Sequence, residues 1–221
     1  DIVSDLVTLD FTDSSTMVKG NLNCPEAVLA AASYYCFRCL MPSYTPSCHG
    51  LFRNIKIETR KGSILNAKRP AAVAAGNVET SMRLVDVIFG ALAKASPELV
   101  PSAAQGTMNN IAMGLIDEDK GTRWDYYETV AGGTGGGPIF KGLDGKHSHM
   151  TNTLNTPVES VEMHYPLRIS RYELRRQSGG NGKNRGGNGI IREYEFLDDA
   201  CVTILSDRRT TGPWGLQGGL S

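Results

Sequence analysis

The chain has 221 residues, with 23 lysines and arginines against 23 aspartates and glutamates, so its formal net charge is zero. No global field steers it towards nucleic acid or a membrane surface, and no apolar run approaches the roughly 20 residues that a membrane span needs. Five cysteines, an odd number, do not make a disulfide framework in a chain of this length, and reduced thiols in the cytoplasm are the expectation.

DIVSDLVTLDF at the N-terminus lacks the basic-then-apolar pattern of a signal peptide and already reads as a strand, so the sequence is expected to start inside a larger protein. Leu6–Phe11 alternates as a strand, Asp13–Ser15 has turn chemistry, and Val18-Lys19-Gly20 is the expected hairpin partner. Asn23 is placed to cap a helix over Pro25–Leu40, whose apolar face is Val28, Ala31, Ala32 and Tyr35 and which Pro42 ends. Cys36, Cys39, Cys48 and His49 bring three thiols and an imidazole close in sequence, which suits zinc. Against zinc, the first pair ends an alanine-rich helix and the second pair has no spacer. Inert thiols are the preferred reading, with redox chemistry also open.

Ile55–Thr59 alternates as a half-buried strand and Lys61-Gly62 turns into Ser63-Ile64-Leu65. Val78–Ala95 carries a helical stripe of Met82, Val85, Ile88, Phe89 and Leu92, which is core packing rather than chemistry. Val100-Pro101 breaks the pattern, and an internal division is expected near 97–104. Asn109–Leu115 and Arg123–Val130 form an antiparallel hairpin across the charged turn Asp117–Gly121. Thr156 is the expected cap of a short helix over Pro157–His164, with Glu159 three residues on. Leu167–Arg175, Ile190–Phe196 and Ala200–Leu205 complete the strands. Strands and helices mix without a βαβ rhythm, which predicts an α+β fold of mixed, largely antiparallel sheets with a few packed helices.

The stretch Tyr126–Glu162 organises the rest. It combines the AGGTGGG loop, two of the histidines and a dense set of hydroxyl and amide side chains, a mixture that is costly to bury unless it pairs with itself, with water or with a ligand. AGGTGGG lacks the GxxxxGK[ST] spacing of a phosphate loop and runs into Pro138-Ile139 rather than a helix. The second glycine-rich run, Ser178–Gly189, leads into a strand. Tight turns or close backbone approaches are the preferred reading of both, although Lys183 and Arg185 suit a carboxylate or phosphate. On a strand, His147 and His149 would face one side and reach one metal ion or substrate, with Asp144 to complete the set. The plainer alternative is a polar turn. Asn152, Thr153, Asn155 and Thr156 are ordinary turn and cap types.

PAAVAAGNVETSMRLVDVIFGAL, GTMNN, YYETVAGGTGGG, HSHMTNTLNTPVE, RQSGGNGKNRGGNGIIRE and WGLQGG together resemble the hydantoinase B/oxoprolinase family, in order and through nearly the whole chain. The family includes B subunits of N-methylhydantoinase, the C-terminal part of 5-oxoprolinase and the related large subunit of acetone carboxylase. The resemblance implies that residues 1–221 are the C-terminal portion of a hydantoinase B-type subunit. It implies part of an ATP-dependent hydrolase that opens a cyclic amide of hydantoin or 5-oxoproline type. ATP with magnesium is then bound by a hydantoinase A-type partner, as a subunit or fused domain, in a hetero-oligomer that uses neither nucleic acid nor membrane. The alternatives are a fragment of an ATP-dependent ketone carboxylase and a non-catalytic assembly module. In the carboxylase branch a divalent metal is held by a segment that precedes the DFTDSS strand and has no counterpart here, and the fragment alone is expected to be inactive. Where family motifs coincide with capable side chains, the resemblance points to Glu128, His147 and His149 as catalytic and to Asn109, Asn110, Asn152, Asn155 and Arg185 as substrate-binding.

Overall fold

Period-two alternation decides most of the strands. In the computed structural model, which describes residues 1–119 and 121–221, three α-helices and eight strands are found among the described residues, and the strands form three small, mostly antiparallel sheets. The fold is α+β. The chain separates into two units, Asp1–Phe89 and Gly90–Ser221.

In the first unit β1 (Ile2–Val3) pairs antiparallel with β2 (Leu6–Phe11), and β2 pairs parallel with β3 (Ile55–Thr59), the connection passing through α1 (Glu26–Leu40). Parallel neighbours need a long crossover, so Val18–Gly20 is not the hairpin partner of β2 that its sequence suggested. Asn23 is not the cap of α1 either. That position falls to Pro25, in extended geometry and without a side-chain bond. Asn23 is 1% exposed and is wholly occupied in tying loops together: its Oδ1 accepts from Val18 N at 2.8 Å, and its Nδ2 donates to the carbonyls of Val18, Gly20 and Ala72 at 2.9, 2.9 and 3.0 Å. The stripe on α2 (Glu79–Ala95) is core as its period demands, with Met82, Val85, Ile88 and Phe89 buried.

In the second unit β4 (Asn110–Asp117) lies between β5 (Thr122–Thr129) and β8 (Cys201–Leu205), antiparallel to both. The charged turn between β4 and β5 includes Lys120, which lies outside the described residues. A separate hairpin joins β6 (Leu167–Arg175) to β7 (Gly189–Phe196), with a register shift between Ile169 and Arg171. Helix α3 (Val158–His164) packs on β6. Its N-cap is Pro157 rather than Thr156, whose backbone is used elsewhere. Met113, Trp124, Tyr126, Val161 and Leu167 make the core cluster where β4, β5, α3 and β6 meet.

Leu167 is fully buried in that cluster, whereas Leu154 is 91% exposed. Truncating a buried leucine loses its transfer free energy and leaves a cavity. Leu167→Ala is therefore expected to cost about 2–5 kcal/mol and Leu154→Ala under about 0.5 kcal/mol, as read from urea unfolding of the full-length protein that carries this chain.

Candidate functional site

Alternation along β5 turns Trp124, Tyr126 and Glu128 inward and leaves Arg123, Asp125 and Tyr127 exposed. Glu128 meets Arg192 of β7, with Oε2 at 3.0 Å from Nε and side chains only 2% and 1% exposed. Around this pair every carboxylate oxygen is matched. The Thr156 amide donates to Oε1 at 2.8 Å, and the Tyr194 hydroxyl donates to Oε2. Arg192 Nη2 donates to the Thr156 carbonyl at 2.8 Å, Nε also reaches Tyr194 Oη at 3.0 Å, and the guanidinium stands 4.5 Å from the centre of the Tyr172 ring. Burial, reinforced by the hydrogen bond to Glu128, pushes the Tyr194 phenol well above its ordinary range. Burial alone would lower the Arg192 pKa, but the facing Glu128 carboxylate and Tyr194 more than reverse this. The pair is charged and held.

Ile190, Arg192 and Tyr194, alternate residues of β7, line a cavity of about 690 Å³ within the second unit. Loops make the rest of its wall. Ser102 N donates to Gly136 O at 2.9 Å, Gln105 N to Gly133 O at 3.1 Å and Ala103 N to Trp214 O at 3.1 Å. Gly187 N donates to Thr134 O at 2.9 Å and Gly142 N to Arg185 O at 2.8 Å, tying the two glycine-rich runs to each other. A Cβ on Gly133 would stand 1.9 Å from Gly187 O, and one on Gly135 would stand 1.8 Å from Ser102 O. Only glycine permits these approaches. The Gly142, Gly186 and Gly187 amides are spent on other carbonyls.

Five cationic side chains line this cavity, Arg175, Lys183, Arg192, Arg208 and Arg209, against one acidic side chain, Asp207. Among the residues that line it, Arg192 Nη1, Asn110 Nδ2 and Gln105 Oε1 are buried without a hydrogen-bond partner among the described residues. Asn110 is 1% exposed, and its Oδ1 accepts from Thr129 Oγ1 at 2.6 Å, which fixes the amide and leaves Nδ2 buried without a partner.

Asn109 and Asn110, both expected to bind substrate, are in this lining. Asn109 has a φ of 53°, and its Oδ1 accepts from Arg209 Nη2 at 3.0 Å. Glu128 stands behind Arg192 and outside the lining. His147, His149, Asn152, Asn155 and Arg185 are also outside it. Asn155 joins Thr129 O (3.1 Å) to the Tyr172 hydroxyl (3.2 Å), and Asn152 is exposed. The Arg185 guanidinium is clamped by Asp144, with Nη1–Oδ1 at 2.8 Å and Nη2–Oδ2 at 3.0 Å. That bond, aided by the Asn188 amide, holds Asp144 well below the usual carboxylate range.

His147 and His149 are not on a strand. They lie in a loop, with His149 at a φ of 56°, so the alternation argument for a shared face does not apply to them. Burial lowers the pKa of both, that of His149 to about 4, and the Glu128 charge partly opposes the shift at His147. His147 Nε2 is 3.4 Å from Thr153 Oγ1, while Nδ1 is buried and unpartnered. All five cysteines are free, with Cys24 and Cys36 buried. Among the described residues no group of three or more His, Cys, Asp or Glu side chains is arranged to hold a metal ion, and no helix is long and apolar enough to cross a membrane.

Sequence reasoning does not find Arg192, Tyr194 or Gln105. One signal is present: an arginine between Ile190 and Tyr194 at period two belongs to the inward face of a strand, where an unpaired charge is rarely found. Its partner on β5 is remote in sequence and cannot be read from the pattern.

The family model for hydantoinase B/oxoprolinase matches residues 1–221. The chain is 43% identical over 212 residues to 5-oxoprolinase 1 of Arabidopsis thaliana, covering 96% of this chain and 16% of that protein. It is 34% identical to the putative B component of a D-/L-hydantoinase from a Pseudomonas species, covering 98% of this chain and 37% of that one. The chain thus spans well under half of these relatives. Acetone carboxylase in a nucleotide-free structure superposes with a TM-score of 0.83 over 96% of this chain and 29% of that chain, at 18% identity, a likeness of fold.

Two outcomes test the site's electrostatics. Glu128→Gln strips the buried guanidinium of its counter-charge, and a loss of about 3–5 kcal/mol is expected in urea unfolding. His149 is neutral when folded until pH falls to about 4, whereas an unfolded histidine takes its proton near 6.5. The unfolded state therefore binds more protons between these values, and stability drops as pH falls from about 6.5 to 4, by up to about 3 kcal/mol. His149→Asn, which tolerates a positive φ, is expected to flatten that limb of the stability–pH curve.

Proposed function

The chain belongs to the hydantoinase B/oxoprolinase family, and from that premise we propose that it is part of an ATP-dependent hydrolase that opens a cyclic amide of the hydantoin or 5-oxoproline type. Relatives that carry hydrolase names support this reading. The observation that carries it is the cavity of about 690 Å³ with an excess of cations among its lining residues. A volume of this size suits a small polar molecule, and the cationic side chains favour one that carries negative charge or a polarised carbonyl.

In this reading ATP and magnesium are bound by a hydantoinase A-type partner, since neither glycine run here has the GxxxxGK[ST] spacing of a phosphate loop. This chain's own residues bind and orient the ring. Asn109 and Asn110 stand in the cavity lining beside the ring, Glu128 positions Arg192, and the wall of loops limits access of water. His147, neutral at pH 7 and outside the cavity lining, takes up a proton through an intervening water as water adds to the amide carbon. In the hydrolysis the C–N bond breaks, hydroxyl goes to the carbonyl carbon and a proton to the nitrogen. His149 stays neutral in the adjoining loop, Asn155 is bonded to Thr129 and Tyr172, and Arg185 is held by Asp144.

The test uses the full-length protein with its A-type partner, supplied with hydantoin, N-methylhydantoin, 5-oxoproline, or acetone plus bicarbonate, while nucleotide hydrolysis and ring opening are followed. Ring opening coupled to nucleotide hydrolysis is expected, reduced about 100-fold or more by His147→Ala. Nucleotide turnover with ketone and bicarbonate alone would overturn the reading in favour of a carboxylase. Normal turnover by the His147→Ala variant would remove that residue from the mechanism.

A further inference from the structure

Three places in the chain put a glycine directly after an amide or acid that its backbone nitrogen can attack: Asp144-Gly145, Asn181-Gly182 and Asn188-Gly189. Glycine exposes that nitrogen, because no Cβ stands beside it. All three pairs lie in the second unit, in or beside the glycine-rich loops, and their surroundings differ.

Two of the pairs are tied down. The Asp144 carboxylate is clamped by Arg185 at 2.8 and 3.0 Å and also accepts from Asn188 N at 2.7 Å. Those bonds favour its ionised form, which is a poor electrophile. Gly145 N is itself spent on Asn188 O at 2.9 Å. At the last pair, Asn188 Oδ1 accepts from Ser178 N at 3.1 Å and from Gly179 N at 3.2 Å. Gly189 N donates to Ser178 Oγ at 2.8 Å. Neither the Asn188 amide nor the nitrogen that would attack it can turn without breaking these bonds.

Asn181-Gly182 is different. Both residues are exposed, and neither the Asn181 side chain nor Gly182 N makes a hydrogen bond among the described residues. A Cβ placed on Gly182 would meet nothing closer than Gly219 Cα at 3.5 Å, so the space around the nitrogen is open. The bond that this pair does make favours attack. Leu220 N donates to Asn181 O at 2.8 Å, which polarises the peptide group and eases loss of the Gly182 proton.

We propose that Asn181 is a site of spontaneous deamidation, whereas Asn188, in the same loop and the same Asn-Gly pairing, is protected by its bonds. Gly182 N gives its proton to hydroxide and attacks Asn181 Cγ. The new N–Cγ bond closes a succinimide ring, the Cγ–Nδ2 bond breaks, and the nitrogen leaves as ammonia. Water then opens the ring at either carbonyl, so one water is consumed and one ammonia released. Cleavage of the N–Cγ bond leaves aspartate. Cleavage at the former main-chain carbonyl leaves isoaspartate, with the chain running through Cγ and the carbonyl that Leu220 N holds converted to a carboxylate. Asn181 is in the cavity lining, so either product adds a second carboxylate there beside Asp207. That charge weakens the pull of the lining's cations on an anion, and the modification thus acts on the cavity as well as on the loop.

The test holds the full-length protein that carries this chain, folded, in mildly alkaline buffer and digests samples with trypsin over time. A zero-time sample corrects for conversion during digestion. Cleavage after Arg176, Lys183, Arg185 and Arg192 puts Asn181 and Asn188 on separate peptides, 177–183 and 186–192. Chromatography with mass spectrometry is expected to show the first peptide converting to aspartate and isoaspartate forms at least ~30-fold faster than the second. In urea, where the protecting bonds are gone, the two rates are expected to converge. Ser178→Ala removes the acceptor of Gly189 N and is expected to raise the rate at Asn188 ~10-fold, with the melting temperature reporting whether the fold is kept. Asn181→Gln, whose extra methylene disfavours ring closure, is expected to lose the acid-shifted band that ageing produces in isoelectric focusing. Equal rates at the two asparagines in the folded protein, or an Asn181 that converts only in urea, would overturn the proposal. So would an unchanged rate at Asn188 in a folded Ser178→Ala variant.

Discussion

The buried pair of Glu128 and Arg192 is the constraint on which the second unit depends. Taking either ion out of water alone costs several kcal/mol, and their attraction repays this only when the remaining donors and acceptors are also matched. The structure matches them with the backbone of Thr156 on both sides, amide to carboxylate and carbonyl to guanidinium, and with the hydroxyl of Tyr194. Strand β5, strand β7 and the segment ahead of α3 are thereby fixed to one another at a single point. The core cluster of Met113, Trp124, Tyr126, Val161 and Leu167 packs the same elements, so apolar burial supplies stability and the ion pair supplies register. Exposed pairs such as Arg168–Glu195, with side chains 58% and 50% exposed, add little beside it.

Glycine does a second and different job. Loops 101–105, 131–145 and 178–189 come together with their backbones in direct contact, and the segment around Trp214 joins them. Each close approach removes the space for a side chain and replaces it with an amide–carbonyl bond. A wall built from paired backbone is stiff, because shifting one loop breaks bonds on two others. It also spends part of the loops' own polarity on one another.

The local elements are legible in the sequence, and the connections between them are not. β2, β3 and β6 begin and end where alternation places them, and the helical stripe Met82–Phe89 is buried as its period requires. Such patterns come from neighbours in the chain. Asn23 and Thr156 mislead because a cap signature is local, whereas their polar groups are claimed by Ala72 and Glu128, 49 and 28 residues away. The hairpin expected at Val18–Gly20 fails for a similar reason, since β2 finds its partner across a helix. His147-x-His149 invites a strand argument that its loop backbone does not support. Of the residues that line the cavity, Asn109 and Asn110 are reachable through family motifs. Arg192 sits inside one of those motifs, yet its value depends on a carboxylate 64 residues earlier, a contact that no period or spacing announces.

A buried donor without a partner costs stability of the order of 1–3 kcal/mol, and an apolar residue of similar shape would avoid that cost. Asn110 and Arg192 carry such atoms while their other polar atoms are bonded. Two faults at random would be expected to fall on side chains free to turn and repair them. Here the repair is blocked by the bonds that hold each group: Thr129 on the amide oxygen, Glu128 and Thr156 on the guanidinium. The bonds that block the repair also hold β4 and β7 in position, so the stability given up at two unmatched atoms accompanies a wall whose remaining polar groups are fixed.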